Sequence, residues 1–304
     1  MKLKTKDLLT LAELTPKEFL YLIDYSLKLK KELRQKGNKP ILKNKTLTMI
    51  FQKPSTRTRV SFETGMYQLG GHAINLSSND MQLSRGESVE DTAKTLSRYT
   101  DCIMARVYDH KLLDKLSDHA SIPVINGLSD SFHPCQILAD FMTIKEKKKK
   151  LKGLKIAWIG DGNNVCNSMI YGAALSGIEM SIATPKGFKP NQSVVKESSK
   201  STNIELTIDP VTATKNADVV VTDTYSSIHN NDPKRIKKFL PNYQINPKLM
   251  GTAKENAIFM HCLPAKREQE VTSSVIDGSQ SVVWDEAENR LHTQKALLAS
   301  LIYA

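Results

Sequence analysis

The sequence predicts two α/β domains of similar size, each a parallel sheet with helices on its faces. Three observations lead there. The chain has 304 residues, enough for two domains of about 150. Each half alternates short apolar runs that read as strands with segments of helical periodicity. Apolar residues make up 40% and charged residues 25%, a balance compatible with a sizeable buried core.

The elements follow in order. Thr15-Pro16-Lys17-Glu18 combines an N-cap, a proline at the first helical position and a glutamate at the third, so a helix starts there. Phe19, Leu20, Leu22, Ile23, Leu27 and Leu29 give that helix one apolar face. Thr46 to Phe51 reads as a buried strand, and Thr58 to Leu69 as a helix ended by Gly70-Gly71. Ser88-Val89-Glu90-Asp91 opens a helix running to Tyr99, and Cys102 to Arg106 is the next strand. Phe141 to Lys152 is helical in composition and ends at Gly153, an inter-domain element. The second half supplies strands at Leu154 to Ile159, Met180 to Thr184, Ala217 to Thr222 and Ala257 to His261, with a helix at Asn167 to Leu175. The last segment, Asn289 to Leu301, is an amphipathic helix long enough to pack back onto the first domain.

Composition excludes several function classes. The formal net charge is +11, but much of the excess lies in lysine runs such as Lys28-Leu29-Lys30-Lys31, Lys147 to Lys150 and Lys234 to Lys238. Without interleaved aromatics these runs make a solvated basic surface, one that steers anionic substrates inward and calls for no nucleic acid. No stretch approaches the roughly 18 apolar residues of a membrane span. The N-terminus carries Asp7, Glu13 and Glu18 among its lysines and lacks a signal-peptide core. Cys102, Cys135, Cys166 and Cys262 are scattered without a C-x-x-C pair, which favours reduced thiols in a cytoplasmic protein over structural zinc or disulfides.

Four constellations carry chemistry. At the first strand exit, Gln52-Lys53-Pro54-Ser55-Thr56-Arg57-Thr58-Arg59 gathers hydroxyls and guanidinium groups where a helix begins. A helix N-terminus offers unpaired N–H groups and a positive dipole end, and arginine adds bidentate bonds to phosphate. The second, Ile159-Gly160-Asp161-Gly162-Asn163-Asn164-Val165, suggests a dinucleotide turn, yet Val165 stands where the third glycine belongs and Thr184-Pro185 where the acidic residue is expected. In the third, Asp223 leaves a strand edge in Thr222-Asp223-Thr224-Tyr225-Ser226-Ser227-Ile228-His229, placed to meet an ammonium group. The fourth joins Met260-His261-Cys262-Leu263-Pro264 to Glu288-Asn289-Arg290-Leu291-His292.

The phosphate-gripping loop resembles that of the aspartate and ornithine carbamoyltransferases, and the resemblance runs along the whole chain. His133-Pro134-Cys135-Gln136 matches the family's H-P-x-Q motif, and the cysteine, the H-C-L-P run and the later E-N-R-x-H point to its ornithine branch. The resemblance implies two doubly wound parallel-sheet domains with the active site in the cleft between them. The expected boundaries are 1–137 plus 286–304 for a carbamoyl-phosphate domain and 138–285 for an ornithine domain. It implies transfer of a carbamoyl group to the δ-amine of L-ornithine, giving L-citrulline and phosphate, with no cofactor and no metal. Carbamoyl phosphate would be held by Ser55, Thr56, Arg57, Thr58, Arg106, His133, Gln136, Leu263 and Arg290, with Gln82 reaching in from a neighbouring subunit of a homotrimer. Arg57, Arg106, His133 and Cys262 would be catalytic. Ornithine would meet Asn164, Asp223, Ser227, Ile228 and Cys262. The family's D-x-W-x-S-M-G departs here to Tyr225, Ile228 and His229, the last replacing a glycine whose backbone permits positive φ. Other readings remain: a different amine (putrescine, an N-acylornithine or aspartate), a non-catalytic relative, and a dinucleotide enzyme, which Val165 disfavours.

Overall fold

The computed structural model describes residues 3–77, 81–226 and 233–303. Contacts within the chain group it into two compact units, Met1–Met142 with Glu288–Ala304, and Thr143–Ala287.

The first unit is built on a four-stranded parallel sheet of β1 (Thr46–Phe51), β2 (His72–Ser77), β3 (Cys102–Arg106) and β4 (Val124–Leu128), in the order β2-β1-β3-β4. The second holds five parallel strands, β5 (Lys155–Ile159), β6 (Glu179–Ala183), β7 (Ile204–Thr207), β8 (Val219–Thr222) and β9 (Ile258–His261), in the order β7-β6-β5-β8-β9. β1 and β3 are buried almost throughout, as central strands covered on both faces must be, and they read as apolar runs. The edge strands β2 and β7 carry alternate polar residues, and β4 has Asn126-Gly127 at its centre, so the sequence pattern does not mark these three.

Helix boundaries shift where local chemistry outweighs periodicity. The first long helix is Pro16–Lys36, with Thr15 and Glu18 closing the expected capping box. The helix after β1 is Thr56–Gln68, starting two residues early because Ser55 Oγ already accepts the Thr58 N–H. The expected helix at Phe141 begins at Pro134, where the ring presets φ and no N–H is wasted, and ends at Lys148. The last helix spans Val283–Ile302, its first turn carrying Asp285 and Glu286 toward the positive end of the dipole.

Both sheets contain a topological switch point. In the first unit the chain leaves β1 toward β2 and later builds β3 and β4 on the other side. In the second it leaves β5 toward β6 and β7, then adds β8 and β9 opposite. At such a point successive loops diverge and a crevice opens beyond the carboxyl ends of the strands. Residues 52–55 and 107 onward leave the first switch point, and residues 160–163 and 223–226 leave the second. Among the described residues no helix is long and apolar enough to cross a membrane.

Candidate active site

At the first switch point, β1 and β3 end side by side, with Phe51 paired to Arg106. Ser55 caps the following helix, and its hydroxyl donates to Thr58 Oγ1 at 3.0 Å. Thr58 is buried, Ser55 and Arg57 half-buried and Thr56 exposed. Arg59 turns away and pairs with Glu63 across one helical turn at 2.9 Å. The register of β3 against β4 slips between Ala105 and Arg106, a bulge of the kind that re-aims a side chain. Arg106 is 8% exposed.

Other elements bring His133, Gln136 and Arg290 to the same unit. His133 is buried, and burial pushes its imidazolium well below its ordinary range; the guanidinium groups of Arg290, Arg106 and Arg57 push the same way. The ring is therefore neutral, able to donate one N–H and accept at the other nitrogen. Gln136 Oε1 accepts from Arg290 Nη1 at 2.7 Å, and Gln136 Nε2 donates to Asp140 Oδ1 at 2.8 Å. Lys53, 2% exposed, lies 3.7 Å from the centre of the Tyr108 ring; burial and Arg106 both lower its ammonium pKa. Three mutually repelling guanidinium groups around a neutral imidazole, beside a helix N-terminus, suit a small dianion with a polar carbonyl. Cys135, by contrast, is buried, donates to Asn126 O at 3.4 Å and is pushed up to about 12 by burial, so it is a packing residue.

At the second switch point, Thr222 Oγ1 donates to Ile159 O at 2.6 Å and ties the ends of β8 and β5. Asn163 caps the helix Asn164–Ser176, its Oδ1 accepting from Val165 N and Cys166 N at 3.0 and 3.1 Å. Its Nδ2 donates to Asp223 Oδ2 at 2.7 Å, while Asp223 Oδ1 accepts from Thr224 N at 2.7 Å and from Cys262 Sγ at 3.3 Å. Asp223 is thus a fixed carboxylate with a thiol beside it. Asp161 sits behind: burial raises its carboxyl to about 6, opposed by the Arg235 guanidinium that pairs with it and reinforced by Asp223. The second glycine of the turn is explained by packing, since a Cβ on Gly162 would lie 2.2 Å from Pro190 N.

Cys262 and Leu263 leave β9 on a backbone held from behind. His261 is fully buried; its Nδ1 accepts from Leu263 N at 2.9 Å, so Nε2 carries the proton toward Glu270 Oε1 at 3.2 Å. Glu286 Oε2 accepts from His261 N at 2.9 Å. Leu263 has φ +56°, a left-handed conformation that a non-glycine residue keeps only when its surroundings enforce it. Asp223, His261 and Cys262 offer ligand atoms within 4.8 Å of one another, but both His261 ring nitrogens are already engaged.

The structure therefore brings Arg57, Arg106, His133 and Arg290 into one electrostatic cluster, with Gln136 on Arg290 and Ser55 on Thr58. It sets Asp223 against Cys262, with Asn164 opening the adjacent helix. Leu263 follows in the second unit, half-buried. Gln82 is exposed at the start of a short 3-10 turn, Gln82–Arg85. Ser227, Ile228 and His229 lie outside the described residues. Tyr225, which stands for the family's tryptophan, is a core residue stacked on Phe239 at 4.4 Å. Asn163, Lys53 and the His261–Glu270–Glu286 set are additions; Asn163, Lys53 and His261 lie inside motifs the sequence marks, whereas Glu270 and Glu286 left no signal.

Two domain models match the chain: the carbamoyl-P binding domain of aspartate/ornithine carbamoyltransferases at residues 6–146, and their Asp/Orn binding domain at residues 152–301. The chain belongs to the aspartate/ornithine carbamoyltransferase family. It is 60% identical over 301 residues to the ornithine carbamoyltransferase of Cenarchaeum symbiosum, covering 99% of both chains. It is 51% identical to that of Pyrococcus abyssi, covering 99% of this chain and 97% of the relative. Among solved structures, the ornithine carbamoyltransferase of Pyrococcus furiosus superposes with a TM-score of 0.94 at 49% identity, covering 97% of this chain and 96% of that one.

Proposed function

We propose that the chain is an enzyme that transfers the carbamoyl group of carbamoyl phosphate to the δ-amine of L-ornithine, giving L-citrulline and phosphate. The observation that carries this reading is the neutral, buried His133 among Arg57, Arg106 and Arg290, a site for a dianionic acyl donor, together with the full-length likeness to ornithine carbamoyltransferases.

The donor is already activated, so the enzyme's tasks are placement and charge stabilisation. In our reading Ser55, Thr56 and Arg57 retain the phosphate, and Thr58, Arg106 and His133 polarise the carbamoyl oxygen. Gln136, Arg290 and Leu263 complete the donor site, with Gln82 supplied across a subunit interface of a homotrimer. A neutral imidazole donates a hydrogen bond to the oxyanion without adding a further cation, which suits a site already crowded with guanidinium groups. The amine nitrogen attacks the carbamoyl carbon, the bond from carbon to the phosphate oxygen breaks, and the proton shed by the amine goes toward the Cys262–Asp223 pair. Asn164, Asp223, Ser227 and Ile228 orient the amino acid. The setting we propose is cytoplasmic, in keeping with four free cysteines.

The deciding assay is product formation from carbamoyl phosphate with ornithine, putrescine, N-acetylornithine and aspartate offered separately. Citrulline from ornithine with far slower turnover of the others is the expected result. Faster carbamoylation of putrescine or acetylornithine would overturn the choice of second substrate while leaving the donor site standing.

A further inference from the structure

The helix Pro16–Lys36 buries a stripe of Phe19, Leu22, Ile23, Ser26 and Leu29, and Lys30 falls on that stripe with only 3% exposure. A lysine in an apolar stripe is costly unless its ammonium is fully engaged. Here Nζ donates to Asn289 Oδ1 at 2.7 Å and lies 3.1 Å from Glu288 Oε2. Glu288 also pairs with Arg34 at 3.0 Å and with His292 Nε2 at 3.5 Å. Two members of the E-N-R-x-H motif, Glu288 and Asn289, therefore turn toward the cations of the first helix, and a third, His292, turns to Glu288. The fourth, Arg290, 3% exposed, turns to Gln136. Successive helical residues project about 100° apart, so fixing Glu288 and Asn289 on one side fixes the direction in which Arg290 points.

We propose that Lys30 is a positioning residue for the donor site: by holding Glu288 and Asn289 it sets Arg290 against Gln136. The proposal rests on the reading of Arg290 as a donor-site residue. A second buried ammonium on the last helix supplies the comparison. Lys295 is 0% exposed, and its Nζ donates to Asn38 Oδ1 and Gln68 Oε1 at 2.6 and 2.7 Å, on neither neighbour of Arg290.

The experiment uses the full chain and compares Lys30→Met, Lys295→Met, Arg290→Ala and the double variant Lys30→Met/Arg290→Ala, measuring urea stability and the KM for each substrate. Lys30→Met is expected to raise the carbamoyl phosphate KM by roughly tenfold to a hundredfold, the scale of a small misplacement in an active site, with the ornithine KM unchanged. Lys295→Met should lose stability without moving either KM. In the Arg290→Ala background, Lys30→Met should add nothing. An unchanged carbamoyl phosphate KM in Lys30→Met, or effects that multiply in the double variant, overturns the positioning role. Should Arg290→Ala itself leave that KM unchanged, the donor-site reading of Arg290 fails, and the positioning role with it. If Lys30→Met does not fold, Asn289→Ala keeps the Glu288 pair and removes one bond to Lys30; a folded Asn289→Ala protein with a normal carbamoyl phosphate KM overturns the proposal equally.

Discussion

Replacing Gln136 by leucine removes both polar arms of a buried amide while keeping the side-chain volume close, so the loss is one of hydrogen bonds and not of packing. Gln136 is 1% exposed. It accepts from Arg290 at 2.7 Å and donates to Asp140 at 2.8 Å, and both partners are ionisable groups. Hydrogen bonds to charged groups contribute about 1.5–3 kcal/mol each, so the two together set an upper bound of about 6. Asp140 and Arg290 have further contacts that absorb part of the loss, which brings the expected cost to about 3 kcal/mol. With a urea slope of about 2 kcal/mol per molar, the unfolding midpoint of the first unit falls by about 1.5 M. The carbamoyl phosphate KM should rise in the same variant, because Arg290 loses the acceptor that orients it. A midpoint unchanged from wild type would refute the energetic reasoning, and a normal KM in a folded protein would refute the orienting role.

Three further outcomes are expected. Cys262→Ala should lower turnover with ornithine while sparing the carbamoyl phosphate KM; unchanged steady-state kinetics would make Cys262 a packing residue. His292, 1% exposed, is held by burial and the nearby Lys295 at about 4, below its ordinary 6.5, so the unfolded chain takes up a proton there before the folded one does. Its contribution is complete above about pH 6.5 and shrinks as pH falls toward 4, by at most about 3 kcal/mol. Urea midpoints recorded from pH 7 to pH 4 should therefore fall less steeply in His292→Phe, and an equal slope would count against the assignment. Gly162→Ala drives a methyl group into the backbone of Lys189 and Pro190, and should raise the ornithine KM by displacing the turn that carries Asn163; a normal KM would show that the turn yields freely.

Much of the fold was legible because central strands of parallel sheets are apolar on both faces and helix starts advertise their caps, as Thr15 and Ser55 do. The edge strands were not, since β2 and β7 are half-exposed and mix polar residues into a short run. The cationic loop at residues 52–59 was readable for a local reason: hydroxyls, arginines and a strand exit fall within a few residues of one another. Asn163 was harder, because a cap asparagine and an asparagine that faces a ligand look alike in sequence; the structure shows Asn163 doing the capping and also donating to Asp223. The partners of His261 could not be read at all. Glu270 and Glu286 lie nine and 25 residues further on, and their convergence is set by tertiary packing.

The two switch points give each grip its own stretch of chain. Residues 52 to 136, with Arg290 on the final helix, supply the cationic set around His133, and residues 160 to 263 supply the Asp223–Cys262 set. Among the described residues, each strand pairs within its own sheet. Loops leaving β5 and β8 can therefore vary, in a library or over generations, without altering the segments that carry Arg57, Arg106 and His133, whereas the end of β9 is tied through His261 N to Glu286 on the helix that carries Arg290. The appetite for a new amine becomes a property that can drift independently of the handling of phosphate. A single anion-gripping scaffold could in this way serve a family of products.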